Sequence, residues 1–179
     1  MRHHNSHRAS SHRCCKWNYA SRGWYHITII TQDRNCLFGY LADQKMHLNV
    51  LGEIIADEWE KSKSLRPYLR FDTYTIMPDH IHMLIQITKT QHFIPRHLIG
   101  KLFRRLSRSI SSFVAAFKRI CTIRIRAYLN RPDMQVWQPN YHDSIKRTPR
   151  KVHTARDYII NNPRNAPPTP SHLIYNIPC

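Results

Sequence analysis

The sequence predicts an α+β domain built on an antiparallel sheet of the split βαβ (ferredoxin or RRM-like) type, with helices on one face and a C-terminal helix carrying a tyrosine. Three observations lead there. Strand-like and helical segments follow in the order strand, helix, strand, strand, helix, strand, helix; a Pro-Asp pair folds two of the strands into a hairpin; and the helical segments carry apolar stripes.

The first strand is Trp24-Tyr25-His26-Ile27-Thr28-Ile29-Ile30-Thr31, β-branched and aromatic throughout. Between Asp43 and Lys61 the apolar residues Leu48, Leu51, Ile55 and Trp59 recur at helical spacing, and Asp43 offers an N-cap. Two strand-like runs, Phe71 to Met77 and His80 to Ile87, flank the Pro78-Asp79 turn. A long basic helix is expected from about Pro95 to Ala127, with Leu98, Leu102, Leu106, Ile110, Phe113, Val114 and Phe117 as its apolar stripe. Val136 to Ile145 reads as a short strand. Thr148-Pro149 then caps and opens a last helix through Val152, Ala155 and Ile159. That helix is expected to stop at Pro163, because the residue before a proline disfavours α geometry. Residues 1–22 are expected to form a disordered basic tail and residues 164–179 a Pro-rich one, leaving 23–163 as the domain.

Against 28 Lys and Arg stand 11 Asp and Glu, so the net charge of +17 points to a polyanionic partner, nucleic acid above all. Between His80 and Pro132 there is no acidic residue, and Lys101, Arg104, Arg105, Arg108, Lys118 and Arg119 are the expected nucleic-acid contacts. Solvated helix faces usually mix signs, and this one does not. No segment is apolar enough to span a bilayer, no apolar signal segment opens the chain, and the five cysteines form no Cys-x-x-Cys pair. A cytoplasmic protein without membrane partners is expected, as monomer or homodimer.

Side chains alternate along a strand, so His80 and His82 project from one face. Two such imidazoles can share a divalent cation or merely satisfy local hydrogen bonds, and their spacing alone does not choose. On the last helix Tyr158 and Asn162 are spaced i, i+4 and share a face, where a phenol can attack and an amide oxygen can ligate. A half-buried packing tyrosine has the same spacing. Trp24, Trp137 and Tyr141 are candidates for stacking on bases, although such residues more often belong to a core.

Three segments, Met77-Pro78-Asp79-His80-Ile81-His82-Met83-Leu84-Ile85, Trp137-Gln138-Pro139-Asn140-Tyr141 and Asp157-Tyr158-Ile159-Ile160-Asn161-Asn162-Pro163, occur in this order. In them the chain resembles the REP-associated tyrosine transposases of the HUH superfamily of single-tyrosine insertion-sequence transposases, over about residues 24 to 163. The resemblance implies that His80 and His82 are metal ligands, that Asn162 can complete the site and that Tyr158 is the nucleophile. It further implies cleavage and strand transfer of single-stranded DNA at hairpins through a 5′-phosphotyrosine, with release of a 3′-hydroxyl. The metal is expected to be Mg²⁺ or, given two imidazoles, Mn²⁺. Many relatives carry a histidine shortly after the tyrosine of the Trp-Gln segment, where this chain has Tyr141-His142-Asp143-Ser144, and an aromatic soon after the Asn-Pro, where it has Arg164-Asn165-Ala166.

The competing reading is a non-catalytic module, decayed or domesticated, that binds hairpin DNA or RNA. Intact His80, His82 and Tyr158 weigh against it. A zinc deaminase is excluded for want of His-x-Glu and Cys-x-x-Cys. Tyr141 is the alternative nucleophile, without a partner like Asn162 at helical spacing.

Overall fold

A computed structural model describes residues 17–89 and 108–174. In chain order these form β1 (Gly23–Ile30), β2 (Gly39–Ala42), β3 (Lys45–Leu48), α1 (Val50–Leu65), β4 (Leu69–Met77), β5 (His80–Ile87), α2 (Ile110–Leu129), β6 (His142–Lys146) and α3 (Pro149–Asn165). The main sheet has the order β4-β5-β1-β6 with every neighbouring pair antiparallel, which is the split βαβ order once the β2–β3 hairpin is set aside.

The period of two divides the sheet cleanly. Tyr25, Ile27 and Ile29 of β1 and Ile81, Met83 and Ile85 of β5 point to one face, where Leu51, Ile55 and Trp59 of α1 and Phe113 and Phe117 of α2 close the main core. On the opposite face Leu84, with Trp24 beside it, packs against Val152, Ala155 and Ile159 of α3. The expected α+β fold is therefore present, with α3 the helix on the second face among the described residues. Among the described residues no helix is long and apolar enough to cross a membrane.

Several boundaries differ from expectation. Asp43 does not cap a helix: with Gln44 it forms the tip of the β2–β3 hairpin, both residues at positive φ (49° and 59°), as a tight two-residue turn demands. Leu48 ends β3, and Asn49 caps α1 by accepting from the Gly52 amide. Of the helix expected from about Pro95 to Ala127, residues 95–107 lie outside the described residues; the described helix α2 begins at Ile110, where Arg108 is left-handed (φ 59°) and Ser109, extended, forms a reciprocal capping box with Ser112. Lys101, Arg104 and Arg105 lie outside the described residues. Residues 17–22, expected in the tail, are tied to the fold. The Trp17 indole donates to the Tyr25 hydroxyl, Tyr25 donates to the Ser21 carbonyl, and the Ile110 amide donates to Tyr19. Past α3, the Thr169 hydroxyl accepts from the Leu41 amide and its own amide returns the bond to the Leu41 carbonyl.

Helix α3 does not stop at Pro163 but passes through it to Asn165. Proline has no N–H to give the carbonyl four residues back, which here is Ile159. The Thr75 hydroxyl of β4 supplies the missing donor, 2.6 Å from the Ile159 oxygen. A second tie is the two-pronged pair in which Arg156 Nε and Nη2 each lie 2.7 Å from a carboxylate oxygen of Asp72, where β4 carries an irregularity in register. Both hold α3 at one depth and one rotation on the sheet.

Thr75→Val is expected to destabilise the protein by about 1–3 kcal/mol in urea unfolding, by leaving the Ile159 carbonyl unpaired. In a Pro163→Ala background the restored amide takes the bond, so the same change costs much less. Additive costs in the two backgrounds would contradict this account of the proline.

Candidate active site

The site is built on the α3 face from a row of residues aligned across three strands. Thr75 of β4 pairs with His82 of β5, which pairs with Thr28 of β1. His80 lies two residues back on the same face, at the Pro78-Asp79 turn, and His26 two residues from Thr28. His82 is buried, at 6% exposure. The two Nε2 atoms of His80 and His82 stand 3.2 Å apart.

Hydrogen bonds decide which nitrogens are free. His80 Nδ1 lies 2.5 Å from Asp79 Oδ1. Burial alone would raise the Asp79 carboxyl, but the His80 bond and charge together with Arg34, 3.1 Å from Oδ2, outweigh it and hold the group below the ordinary carboxylate range. An ionised carboxylate only accepts, so His80 donates through Nδ1, and in the tautomer protonated there alone Nε2 carries a lone pair. His82 Nδ1 faces the Thr28 hydroxyl at 2.9 Å and His26 Nε2 at 3.2 Å. The hydroxyl can donate or accept, which lets His82 carry its proton on either nitrogen. With the proton on Nε2, His82 donates to His80. With the proton on Nδ1 of both rings, the two Nε2 lone pairs converge on one point, where a cation would offset their repulsion. The pair thus suits a cation about 2.1 Å from each nitrogen. Among the described residues no group of three His, Cys, Asp or Glu is placed for a metal.

Tyr158 is the residue that α3 brings against His82. Its ring centroid is 5.3 Å from that of His82 and 5.8 Å from that of His26, and the side chain remains 49% exposed. Burial of Ala155 and Ile159 on the same helix fixes the direction in which it points. Asn162 follows one turn on, half-buried, and the unbroken helix through Pro163 keeps it on the tyrosine's face. Tyr141 lies elsewhere. It packs against the main core with its hydroxyl 3.1 Å from Ser111 of α2.

Other expected contacts have different employment. Lys118, expected on the nucleic-acid face, donates to the carbonyls of Gln138 (2.7 Å) and Asn140 (2.9 Å), and burial lowers its ammonium to about 8. Arg108 lies over the Tyr68 ring, and Arg119 is exposed on α2. Trp137 is a core residue: it is 9% exposed, packs on Phe38 and donates to the Lys118 carbonyl. Trp24 stays half-buried beneath Arg70.

Sequence reading missed His26 and Thr28, although the signal was there. Trp24, His26 and Thr28 alternate along β1 as His80 and His82 do along β5, so two strands each present polar residues to one face.

Burial and then the nearby Lys146 lower His26 to about 4; burial and then the charges of His80 and His26 lower His82 to about 3. Both folded values lie below the ordinary 6.5, so the unfolded chain binds more protons in this window and stability falls as pH drops below about 6.5. NMR of the ion-free protein should find both imidazoles neutral from pH 7 down to about 5. Midpoints near 6.5 for either ring would contradict the buried geometry.

No family model matches the chain. An uncharacterized protein of Haemophilus influenzae is 35% identical over 162 residues, covering 88% of this chain and 89% of the relative. Among solved structures, a REP-associated tyrosine transposase bound to a REP hairpin is similar with a TM-score of 0.58 at 17% identity, over 87% of this chain and 73% of that one. The chain thus belongs to one family with the Haemophilus influenzae protein, and its fold is that of the REP-associated tyrosine transposases.

Proposed function

We propose that this protein is a transposase that cuts and rejoins single-stranded DNA at hairpins, with Tyr158 as nucleophile and a divalent cation on His80 and His82. The observation that carries the reading is the Tyr158 ring set 5.3 Å from that of His82, whose Nε2 atom stands 3.2 Å from that of His80. Fold similarity to a transposase bound to a REP hairpin and the net charge of +17 support DNA as the substrate.

Asn162, the substrate phosphate and water would complete the shell around Mg²⁺ or Mn²⁺. A bound ion would polarise the phosphate and favour the phenolate over a phenol whose ordinary pKa is about 10. The chain's own part is positional. Asp79 and Thr28 orient the two imidazoles; Thr75 and Asp72, through α3, hold the phenol above them. Attack by the Tyr158 oxygen on phosphorus breaks the bond to the 3′ oxygen. The phenol loses its proton to solvent, the leaving oxygen takes one up as a 3′-hydroxyl, and the 5′ phosphate remains on the tyrosine. Another 3′-hydroxyl reverses the step on a new strand, so no nucleotide is hydrolysed.

Incubation with labelled hairpin-bearing single-stranded DNA and Mn²⁺ or Mg²⁺ should give an adduct that survives denaturing electrophoresis. Tyr158→Phe should reduce it by roughly a thousandfold or more, whereas Tyr141→Phe should keep it. An adduct that persists in Tyr158→Phe would refute the nucleophile, and no adduct with any hairpin would favour a DNA- or RNA-binding module. Thr28→Val should raise the Mn²⁺ concentration for half-maximal adduct by about 10- to 100-fold, by freeing His82 to turn.

A further inference from the structure

A cleft of about 640 Å³ adjoins the tyrosine on the side away from His80. It runs between the end of β6 and the first turns of α3, and Tyr158 and His26 form its inner wall. Lys146, Arg150 and Lys151 line it, together with Ser144, Thr148 and Thr154. Strand β6 is an edge strand, paired only to β1, so the cleft opens along the border of the sheet.

The charge in this cleft is uncompensated. Lys146, Arg150 and Lys151 take part in none of the ion pairs among the described residues, whose carboxylates are engaged elsewhere: Asp72 by Arg156, Asp157 by His153, and Asp57 by Lys61 and Arg124. Lys146 reaches only a hydroxyl, Ser144 at 3.1 Å. Burial first, and then the like charge of Lys151, lowers its ammonium below the ordinary lysine range. Like charges gathered with no acid between them raise the free energy of the unliganded protein, and an anion lowers it. Lys151 and Tyr158 share a helix face two turns apart, so an anionic chain lying on Lys151 passes directly to the phenol.

We propose that this cleft holds the unpaired DNA strand next to the scissile phosphate, with Lys146, Arg150 and Lys151 on successive backbone phosphates. The inference rests on Tyr158 being the nucleophile, and it gives the substrate a direction of approach: along β6 and up the face of α3. An extended single strand, with phosphates spaced along one backbone, suits such a cationic cleft. The binding surface for the cut strand is thereby placed on the α3 face and not on the long basic helix.

The test is fluorescence anisotropy of a labelled single-stranded oligonucleotide on the full-length Tyr158→Phe protein, with and without Lys146→Gln, Arg150→Gln and Lys151→Gln together. The triple change should weaken binding about tenfold or more near 0.1 M salt and make the slope of log K against log salt shallower by about 2, three phosphates at about 0.7 each. Replacing the two lysines by arginine should keep affinity, and unfolding midpoints should match, since none of the three makes an ion pair. Unchanged affinity and slope in the triple variant would overturn the proposal. So would an equal loss from Arg119→Gln, on the opposite face of the sheet. The adduct assay separates the two readings. Binding that depends on the three cations without any adduct leaves the cleft standing and removes the nucleophile; an adduct whose yield at limiting DNA ignores the triple change does the reverse.

Discussion

Everything in this molecule depends on the alternation of side chains along β5. Ile81, Met83 and Ile85 are fully buried in the main core, so His80, His82 and Leu84 have no choice but to face α3. A slip of one residue would drive two imidazoles among Trp59, Phe113 and Phe117 and expose the isoleucines. The free energy of closing the core therefore also fixes the histidine pair, at no separate cost in order.

The second half of the site must be carried to the first, and here a local defect is put to use. Pro163 leaves the Ile159 carbonyl without its helical donor, and Thr75, one strand over from His82, fills the gap. The bond fixes the register of α3 against the same row of the sheet that holds the histidine. With the Asp72–Arg156 pair it makes Tyr158 a rigid attachment of the sheet, as the role proposed for it would require. The cations divide likewise. Arg124 ties α2 to Asp57 of α1, Arg126 and Lys118 bond to carbonyls, and Lys146, Arg150 and Lys151, in no ion pair among the described residues, gather beside Tyr158.

Much of this was legible in the sequence. The hairpin at Pro78-Asp79, the shared face of His80 and His82, the Thr148-Pro149 helix start and the strand order all follow from local rules that need only neighbours in the chain. What escaped depends on partners far apart or on turns without their usual residues. The Asp43-Gln44 turn has both residues at positive φ but no glycine to announce it, and so a helix pattern ran through it. Pro163 reads as a stop unless Thr75, 84 residues from Ile159, is known to be waiting. Lys118 and Trp137 carry the composition of a nucleic-acid surface but are spent on each other's segments. His26 looked like one histidine in a strand until pairing put it against His82.

The central claim is that the phenol of Tyr158 and the histidine pair work on one phosphate. The most direct measurement is digestion of the protein–DNA adduct with trypsin and nuclease, followed by mass spectrometry of the nucleotide-bearing peptide. The account predicts a nucleotide attached at Tyr158 in the peptide from Asp157 to Arg164. A nucleotide found instead on a peptide that contains Tyr141, or on any residue outside α3, would contradict it.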